Sequence, residues 1–234
     1  MTVFSMTSLT TGYRALVIGG SGGIGSAISV MLEGDPRIAS VSTLSRSTNG
    51  FDLEDEMSVR RHSNALVAPF HLIVCATGAL TIDGSRPEKS IRQINLSTMM
   101  RQFAVNAVGP ALVLKHFAPL MANKDRALIV MLSARLGSIS DNRLGGWISY
   151  RSSKAALNQI VRTASIELLR THPSCVLAAI HPGTVETPLS APFSNGHHRL
   201  SPQEAARSIL ELANSLTPEQ SGGFFAYDGS QISW

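Results

Sequence analysis

The stretch that decides the fold is YRALVIGGSGGIG, residues 13–25. Its first six residues are mostly apolar and predict a buried strand, and the glycine-rich turn after them leads into a predicted helix from Ser26 to about Glu33. Glycines let the chain turn tightly and approach a ligand closely. The start of the helix offers unpaired N–H groups and a positive dipole end to a pyrophosphate. This order predicts a dinucleotide site more strongly than a turn without a ligand. The predicted cofactor contacts in it are Gly19, Ser21, Gly22, Gly23, Ile24 and Gly25.

Strand-like and helix-like segments alternate from Tyr13 to the end of the chain, with no internal repeat or linker. This pattern predicts an α/β fold, a doubly wound parallel sheet of the Rossmann type with helices on both faces. We predict one domain over residues 13–234 after a flexible tail at residues 1–12. Only Ser47 to Gly50 separate the second predicted strand from Phe51–Leu53, which is too short for a crossover helix. The helix after the second strand is therefore predicted to be missing, and any third strand to be vestigial.

Composition restricts the class of protein. The 234 residues are 44% hydrophobic and 15% charged, with a formal net charge of +4. No basic run with interleaved aromatics is present, which argues against a nucleic-acid partner. Cys75 and Cys175 lie in apolar runs, so we expect a reducing, cytoplasmic setting. We also expect no membrane span and no metal site, because the adjacent His197 and His198 cannot face one point.

The ends of the second and third buried segments indicate where the rest of a dinucleotide would lie. The second strand ends in Ser45 and Arg46, and a cation there fits a 2′-phosphate, whereas an acidic residue would favour NAD. We therefore expect NADP, with NAD less favoured, although a solvated Arg is the alternative reading. Small residues follow the strand at Phe70–Ala76 and leave room for a ribose, or form an ordinary exit from the strand. They are Ala76, Thr77 and Gly78.

Tyr150 and Lys154 are four residues apart on a predicted helix, Tyr150 to Arg170, and so share one face. An ammonium beside a phenol stabilises the phenolate and lowers its pKa, as a general acid/base near neutral pH requires. The alternative is an amphipathic helix with a surface lysine. Ser133 ends the predicted strand Ala127–Leu132 at the sheet edge where ligands collect.

Asn106 lies in a long predicted helix, about Thr98 to Asn123. Gly109 and Pro110 are expected to kink this helix, because proline removes a backbone donor. A lone asparagine in a helix is usually solvated or satisfied within the core, but next to a kink it can hold an ordered water.

Together these stretches resemble the short-chain dehydrogenases/reductases over nearly the whole chain from Tyr13. The run from Gly145 to Arg151 is most similar to the C-factor-like carbonyl reductases. The motifs that carry the resemblance are Gly19-x-x-x-Gly23-Ile24-Gly25, Asn106, Ser133 before Tyr150-x-x-x-Lys154, and Pro182-Gly183 with Thr187.

The resemblance implies hydride transfer between the cofactor and a small carbonyl or alcohol substrate. Tyr150 is then the acid/base, Lys154 binds the nicotinamide ribose, Ser133 holds the substrate oxygen and Asn106 holds a water. It also implies a homo-oligomer, a dimer or tetramer through the two long helices. The further cofactor contacts that it implies are Asp52, Leu53, Pro182, Gly183, Val185 and Thr187.

Two alternatives remain open at this point. The loop between Ser133 and Tyr150 is longer than is usual in the family, so Ser138 is a rival for the substrate oxygen. A non-catalytic dinucleotide-binding protein, with a regulatory or signalling role, can use the same fold. The presence of the Tyr, Lys, Asn and Ser set favours the enzyme, because a binding protein needs only the glycine turn.

Overall fold

Six apolar segments form one parallel sheet in the computed structural model, which describes residues 4–191 and 199–234. The spatial order of the strands is β2-β1-β3-β4-β5-β6, and each pair is parallel. The order changes direction between β1 and β3, so the carboxyl ends of those two strands form the crevice in which such sheets bind ligands. The strands are β1 Tyr13–Ile18, β2 Ile38–Leu44, β3 Leu72–Cys75, β4 Ala127–Leu132, β5 Cys175–His181 and β6 Phe224–Ala226.

Helices cover both faces of this sheet, as the alternating pattern predicted. One apolar cluster joins α1, α7 and one face of the strands, and a second joins α3, α5, α6 and the other face. Central strands β3 and β4 are buried at every position, because helices lie above and below them. The helices are α1 Gly23–Glu33, α2 Arg46–Asn49, α3 Glu56–Asn64, α4 Leu96–Phe103, α5 Gly109–Phe117, α6 Ile148–Thr171 and α7 Pro202–Ser215.

The connection after β2 is as short as the sequence indicated. It holds only the four-residue helix α2, and Phe51–Leu53 form no strand, so β2 is an edge of the sheet in the part of the chain that the structure describes. The side chains of Phe51 and Leu53 instead fill the core beneath α5. Helix α3 begins at Glu56, and Asp55 caps it by accepting the Met57 N–H at 2.9 Å.

The long helix in the middle of the chain is interrupted next to the Gly109-Pro110 pair. A π-helical turn, Ala104–Val108, separates α4 from α5, and Pro110 is the second residue of α5. By length and composition the whole helical run Leu96–Leu120 could cross a membrane, with a mean hydropathy of 1.3 in its best window. In the fold 44% of that window is buried, and a buried core helix passes the same test.

The described part of the N-terminal segment is not the flexible tail that we expected. Met6 and Leu9 are almost fully buried and pack against the α1 and α7 side of the sheet. Asp35 holds the segment because its carboxylate accepts the Met6 N–H at 2.7 Å and the Tyr13 hydroxyl at 2.8 Å. The buried surface and these hydrogen bonds compensate for the entropy of ordering a short Ser/Thr-rich stretch.

Candidate functional site

The glycine turn packs closely against the end of β3 and against its own backbone, and it leads into an uncapped helix. Gly19 has φ +88°, and a Cβ there would lie 2.9 Å from the Ala76 carbonyl oxygen. A Cβ at Gly25 would overlap the Gly19 carbonyl oxygen, so side chains are excluded where the turn meets α1. Gly22 occupies the N-cap of α1, with no side-chain cap and no acidic residue in the first turn among the described residues. The helix therefore presents unpaired N–H groups to an anion.

The first turns of α6 bring Tyr150 and Lys154 to the same crevice. Lys154 is buried, and its Nζ donates to the Leu132 carbonyl oxygen at 3.1 Å. A Cβ at Gly78 would lie 3.4 Å from both the Lys154 Nζ and the Asn106 Oδ1. The end of β3, which also contacts the glycine turn, thus lies directly beside the lysine. The sequence motif and the glycine turn meet at one edge of the sheet.

Asn106 lies in the π-helical turn, and its amide is fully used. Its Oδ1 accepts the Ala79 N–H at 2.9 Å, and its Nδ2 donates to the Ala79 carbonyl oxygen at 2.8 Å. The same Nδ2 lies 2.6 Å from the Gln102 Oε1 and 3.3 Å from the Ser153 Oγ. The side chain therefore fixes the loop after β3 against α6. The π-helical turn places this amide, because an α-helix would rotate it away from the loop.

Burial shifts the pKa values of both groups on α6. It raises the pKa of the Tyr150 phenol well above its usual value and lowers the pKa of the Lys154 ammonium to about 8. The expectation that the lysine would lower the phenol pKa does not describe this arrangement. Here the ammonium is hydrogen-bonded to the main chain of β4, and desolvation dominates the phenol.

Ser133 does not face Tyr150. Its hydroxyl donates to the Asn158 Oδ1 at 2.6 Å and is buried. Asn158 lies two turns farther along α6, about 12 Å along the axis from Tyr150. The residue that contacts Tyr150 at this strand end is Ala134, which packs with it and with Leu80. The structure therefore contradicts the predicted position of Ser133 beside the reacting oxygen.

Ser138, the other candidate for the substrate oxygen, does not face Tyr150 either. The Ser138 hydroxyl donates to the Ser233 carbonyl oxygen at 2.5 Å and accepts the Asp141 N–H at 3.1 Å. It thereby ties the loop after β4 to the C-terminal residues. Neither serine that the sequence offered for the substrate oxygen lies beside the phenol.

An apolar cluster surrounds the Tyr150 ring. Leu80 and Ala134 are buried against it, Leu136 packs on the same cluster, and the Trp147 ring meets Tyr150 edge-on at 6.5 Å between centroids. A cavity of about 550 Å³ lies beside this cluster and shares Leu136 with it. The α6 residues that line it lie around 150° from Tyr150 on average, on a helical projection with 100° per residue; they are Ile148, Arg151, Ser152 and Ala155.

The adenosine end of the predicted site has one exposed cation, paired with carboxylates, and one hydroxyl that is already hydrogen-bonded. The Ser45 hydroxyl is buried and caps α2 by accepting the Thr48 N–H at 3.2 Å. Arg46 is largely exposed, and its guanidinium lies 3.7 Å from the Asp52 and 3.4 Å from the Glu54 carboxylate. Leu53 is buried beneath Gly109 in the core, and Asp52 stays half-buried at the rim.

The segment after β5 closes the other end. Gly183 has φ +82°, and a Cβ there would lie 2.9 Å from the Tyr227 ring. Pro182 precedes it at the strand exit, and Val185 is buried and forms a bridge with Leu200. Thr187 reaches the glycine turn, because its methyl group would lie 2.8 Å from a Cβ at Gly23.

The adjacent histidines His197 and His198 lie in residues 192–198, outside the described part of the chain. Among the described residues, no group of three or more His, Cys, Asp or Glu side chains could hold a metal ion. Cys75 and Cys175 are both buried and unpaired.

The comparison with known proteins agrees with this geometry. Residues 13–197 match the family model for the short chain dehydrogenases. The chain is 33% identical over 144 residues to a 1-hydroxy-2-glutathionyl-2-methyl-3-butene dehydrogenase of Rhodococcus, covering 62% of each chain. It is 32% identical over 145 residues to the C-signal protein of Myxococcus xanthus, covering 62% of this chain and 84% of that one. The match thus spans less than two thirds of the first relative.

A solved structure shares the fold over almost the whole chain. The NADPH-bound carbonyl reductase from chicken fatty liver superimposes with a TM-score of 0.85 at 22% identity, covering 97% of this chain and 95% of that one. At that identity the similarity supports the fold, and the family model carries the assignment. The chain belongs to the short-chain dehydrogenases, and among the solved structures its fold resembles that of carbonyl reductases.

Proposed function

We propose that this short-chain oxidoreductase reduces an apolar aldehyde or ketone with NADPH and that Tyr150 donates the proton. The observation that carries the proposal is the meeting of three features at one sheet edge: the glycine turn, the end of β3 and the Tyr150–Lys154 face of α6. A binding protein needs the first two features only. The third adds a phenol and an ammonium beside the place where a nicotinamide would lie.

The chain's own residues fit a dinucleotide. The uncapped start of α1 would hold the pyrophosphate, and the close approach at Gly19 and Gly25 leaves no room for a Cβ. Lys154, beside Gly78, would bind the nicotinamide ribose, and Pro182, Val185 and Thr187 would bind the amide. When bound, NADPH supplies the hydride.

In the proposed reaction the protein orients the substrate and donates one proton to it. The Tyr150 phenol is neutral because burial raises its pKa, so it can donate a hydrogen bond and then a proton to a carbonyl oxygen. The Lys154 ammonium lies one turn away and would stabilise the phenolate left behind. Asn106 keeps the loop after β3 against α6 and so preserves the spacing of these groups.

NADPH is favoured over NADH because of Arg46. Its exposed guanidinium can move from the Asp52 and Glu54 carboxylates to a 2′-phosphate, and charge-assisted hydrogen bonds of this kind are strong. The Ser45 hydroxyl already caps α2 and is not counted as a phosphate ligand. The NADPH bound to the carbonyl reductase of similar fold also supports this choice.

The substrate class follows from the walls around the phenol. Leu80, Ala134, Leu136 and Trp147 are apolar and contact Tyr150 or its cluster. Such walls favour apolar and aromatic carbonyls by burying their surface. A charged substrate would lose solvation there without finding a partner among these side chains.

The direct test measures NADPH oxidation by the purified chain with a panel of aromatic and aliphatic aldehydes and ketones. We expect turnover with apolar members, and Tyr150→Phe should abolish it while NADPH still binds. Lys154→Met should weaken NADPH binding and turnover together. The proposal fails if no member of a broad panel is reduced or if Tyr150→Phe retains the wild-type rate.

The second candidate is a non-catalytic dinucleotide-binding protein. Two observations favour it: Tyr150 is only 8% exposed, and no serine of the predicted pair faces it. The same panel separates the two functions. NADPH binding without any carbonyl reduction would establish the binding protein.

We also propose that the chain forms a homodimer through its long helices. Apolar side chains stand exposed on α4 and α6, including Met100 at 64% and Leu169 at 54%. Exposed apolar side chains of this kind can be covered by a second copy of the chain. Sedimentation equilibrium should give a dimer that Met100→Glu weakens, and a monomer at all concentrations would refute the interface.

A further inference from the structure

Glu88 is a buried carboxylate that no role described above uses. It lies in the loop between β3 and α4, is 7% exposed, and meets Ser149, which is 61 residues farther along the chain. The Ser149 hydroxyl donates to the Glu88 Oε1, and the Ser149 N–H lies 3.4 Å from its Oε2. A buried carboxylate needs such partners, and the positive end of a helix favours it.

This contact replaces a local helix cap. The residue at the N-cap of α6 is Trp147, and an indole cannot accept a backbone N–H. Glu88 therefore supplies, from a distant loop, the acceptor that a Ser or Asp normally provides at the start of a helix. Helix α6, which carries Tyr150 and Lys154, is therefore joined at this point to the loop between β3 and α4.

The backbone before α6 is held in an unfavourable conformation. Trp147 has φ 53° and ψ 42°, and Gly145 and Gly146 before it also have positive φ. A left-handed conformation is unfavourable for a residue with a side chain. The Trp147 N–H donates to the Glu88 carbonyl oxygen at 2.5 Å, so Glu88 holds this turn through its main chain as well.

The conformation of Trp147 determines what Tyr150 packs against. The two rings meet edge-on at 6.5 Å with an interplanar angle of 78°. The two residues are three positions apart in the chain, so they lie on the same side of the first turn. If the turn before α6 relaxed to a right-handed conformation, the indole would leave this position.

We propose that Glu88 is a positioning residue that fixes Tyr150 through Ser149 and the left-handed Trp147. The inference rests on the proposed function, because it assigns Glu88 to the same reduction. The loop that carries Glu88 also carries Leu80, which contacts Tyr150. The same loop therefore supports Tyr150 in two ways, by the Leu80 contact and by the Glu88 contacts to Ser149 and Trp147. The loop after β3 must therefore be docked on α6 for the phenol to be in place.

The first test compares Glu88→Ala with Glu88→Gln in the carbonyl reductase assay. We expect Glu88→Ala to lower kcat by at least about tenfold, the equivalent of about 1.4 kcal/mol in the barrier. The Kd for NADPH should stay unchanged, because the glycine turn is not involved. Glu88→Gln should keep kcat within about threefold, because its amide oxygen still accepts the Ser149 hydroxyl.

The matched control is Asn95→Ala. Asn95 lies in the same loop and caps α4 by accepting the Thr98 N–H at 3.1 Å, so its loss removes a helix cap of the same kind. It should lower the Tm without changing kcat. An equal fall of kcat in this control and in Glu88→Ala would show a general effect of loop stability and overturn the proposal.

A second readout does not depend on turnover. In a Trp234→Phe background, Trp147 is the one remaining tryptophan. Acrylamide quenching of its fluorescence should rise in Glu88→Ala and stay near the background level in Glu88→Gln and Asn95→Ala. Unchanged quenching, or a fall of Tm alone in Glu88→Ala, overturns the proposal. If the wild-type chain reduces no carbonyl, the proposed function fails, and the quenching result alone decides whether Glu88 places Trp147.

Discussion

The replacement Ser133→Ala separates a structural serine from a catalytic one. In the structure the Ser133 hydroxyl donates to the Asn158 Oδ1 at 2.6 Å, and Asn158 is 2% exposed. Its Nδ2 has no hydrogen-bond partner among the described residues. Removing the hydroxyl therefore leaves the buried amide without a protein partner, and a buried group without one costs about 1–3 kcal/mol.

The loss of this hydrogen bond should lower the Tm and leave the rate of carbonyl reduction nearly unchanged. In a chain of this size each kcal/mol lowers the Tm by about 2–4 °C, so we expect a fall of several degrees. Because the hydroxyl is at the level of Asn158, two turns from Tyr150, kcat and KM should each change by less than about threefold. Thermal unfolding and initial rates of NADPH oxidation measure the two quantities on the same samples.

The matched control is Ser165→Ala, on the same helix. The Ser165 hydroxyl is also buried but donates only to the Arg162 carbonyl oxygen of its own helix, at 2.8 Å, so a smaller fall in Tm is expected. A fall of kcat by a factor of about 100 in Ser133→Ala, with an unchanged Tm, would refute the reasoning, because that is the size of effect seen when a donor to the reacting oxygen is lost. The opposite replacement, Ala134→Ser, puts a hydroxyl in the Tyr150 cluster and should raise kcat for carbonyl reduction.

Three further outcomes follow from other parts of the site. Arg46→Ala should weaken the binding of NADPH by about tenfold, as the loss of one charge-assisted hydrogen bond requires, and leave the binding of NADH unchanged in fluorescence titrations. Equal effects on the two affinities would exclude a contact between Arg46 and the 2′-phosphate. Gly25→Ala should abolish binding of both nucleotides, because its Cβ overlaps the Gly19 carbonyl oxygen; retained affinity would contradict the close approach. Burial lowers the pKa of His181 from 6.5 to about 4. As the pH falls, His181 is therefore protonated first in the unfolded chain. The stability that is present above pH 6.5 is lost as the pH falls towards 4. Urea unfolding should show a loss of about 2 kcal/mol between pH 7 and pH 5 that His181→Asn removes.

Local patterns were enough to predict most of the fold and the edge of the sheet at which the candidate site residues meet. The order strand, glycine turn and helix at residues 13–25 depends on neighbours in sequence, and so does the spacing of Tyr150 and Lys154 on one helix face. The short stretch after Arg46 could be predicted to lack a crossover helix by counting residues alone. In each case the deciding contacts lie within a few residues of each other.

The direction of Ser133 could not be predicted in the same way, although a signal was present. Side chains alternate along a strand, and Ile129 and Met131 face the α6 side of the sheet. Ser133 continues that alternation and therefore points at Asn158, while Ala134 is the first residue free to face Tyr150. The position of Ser133 at the strand end does not by itself give the direction of its side chain, whereas the alternation along β4 does.

Other errors arose because the deciding partner is distant in sequence. Residues 4–12 look like a tail until Asp35 is placed beside Met6 and Tyr13. Glu88 has no recognisable role until Ser149 is brought to it across 61 residues. Tertiary contacts of this kind override local composition, and no periodicity in the sequence reports them.

Burial acts on the charge state of both groups on α6 that the proposed reaction would use. It favours the neutral form of each group, so it raises the pKa of the Tyr150 phenol and lowers the pKa of the Lys154 ammonium. A proton donor to a carbonyl must begin as the neutral phenol, and the apolar contacts with Leu80 and Ala134 favour that form. In the proposed reduction the Lys154 charge would stabilise the phenolate as it forms, because the opposite charge would then lie one helical turn away.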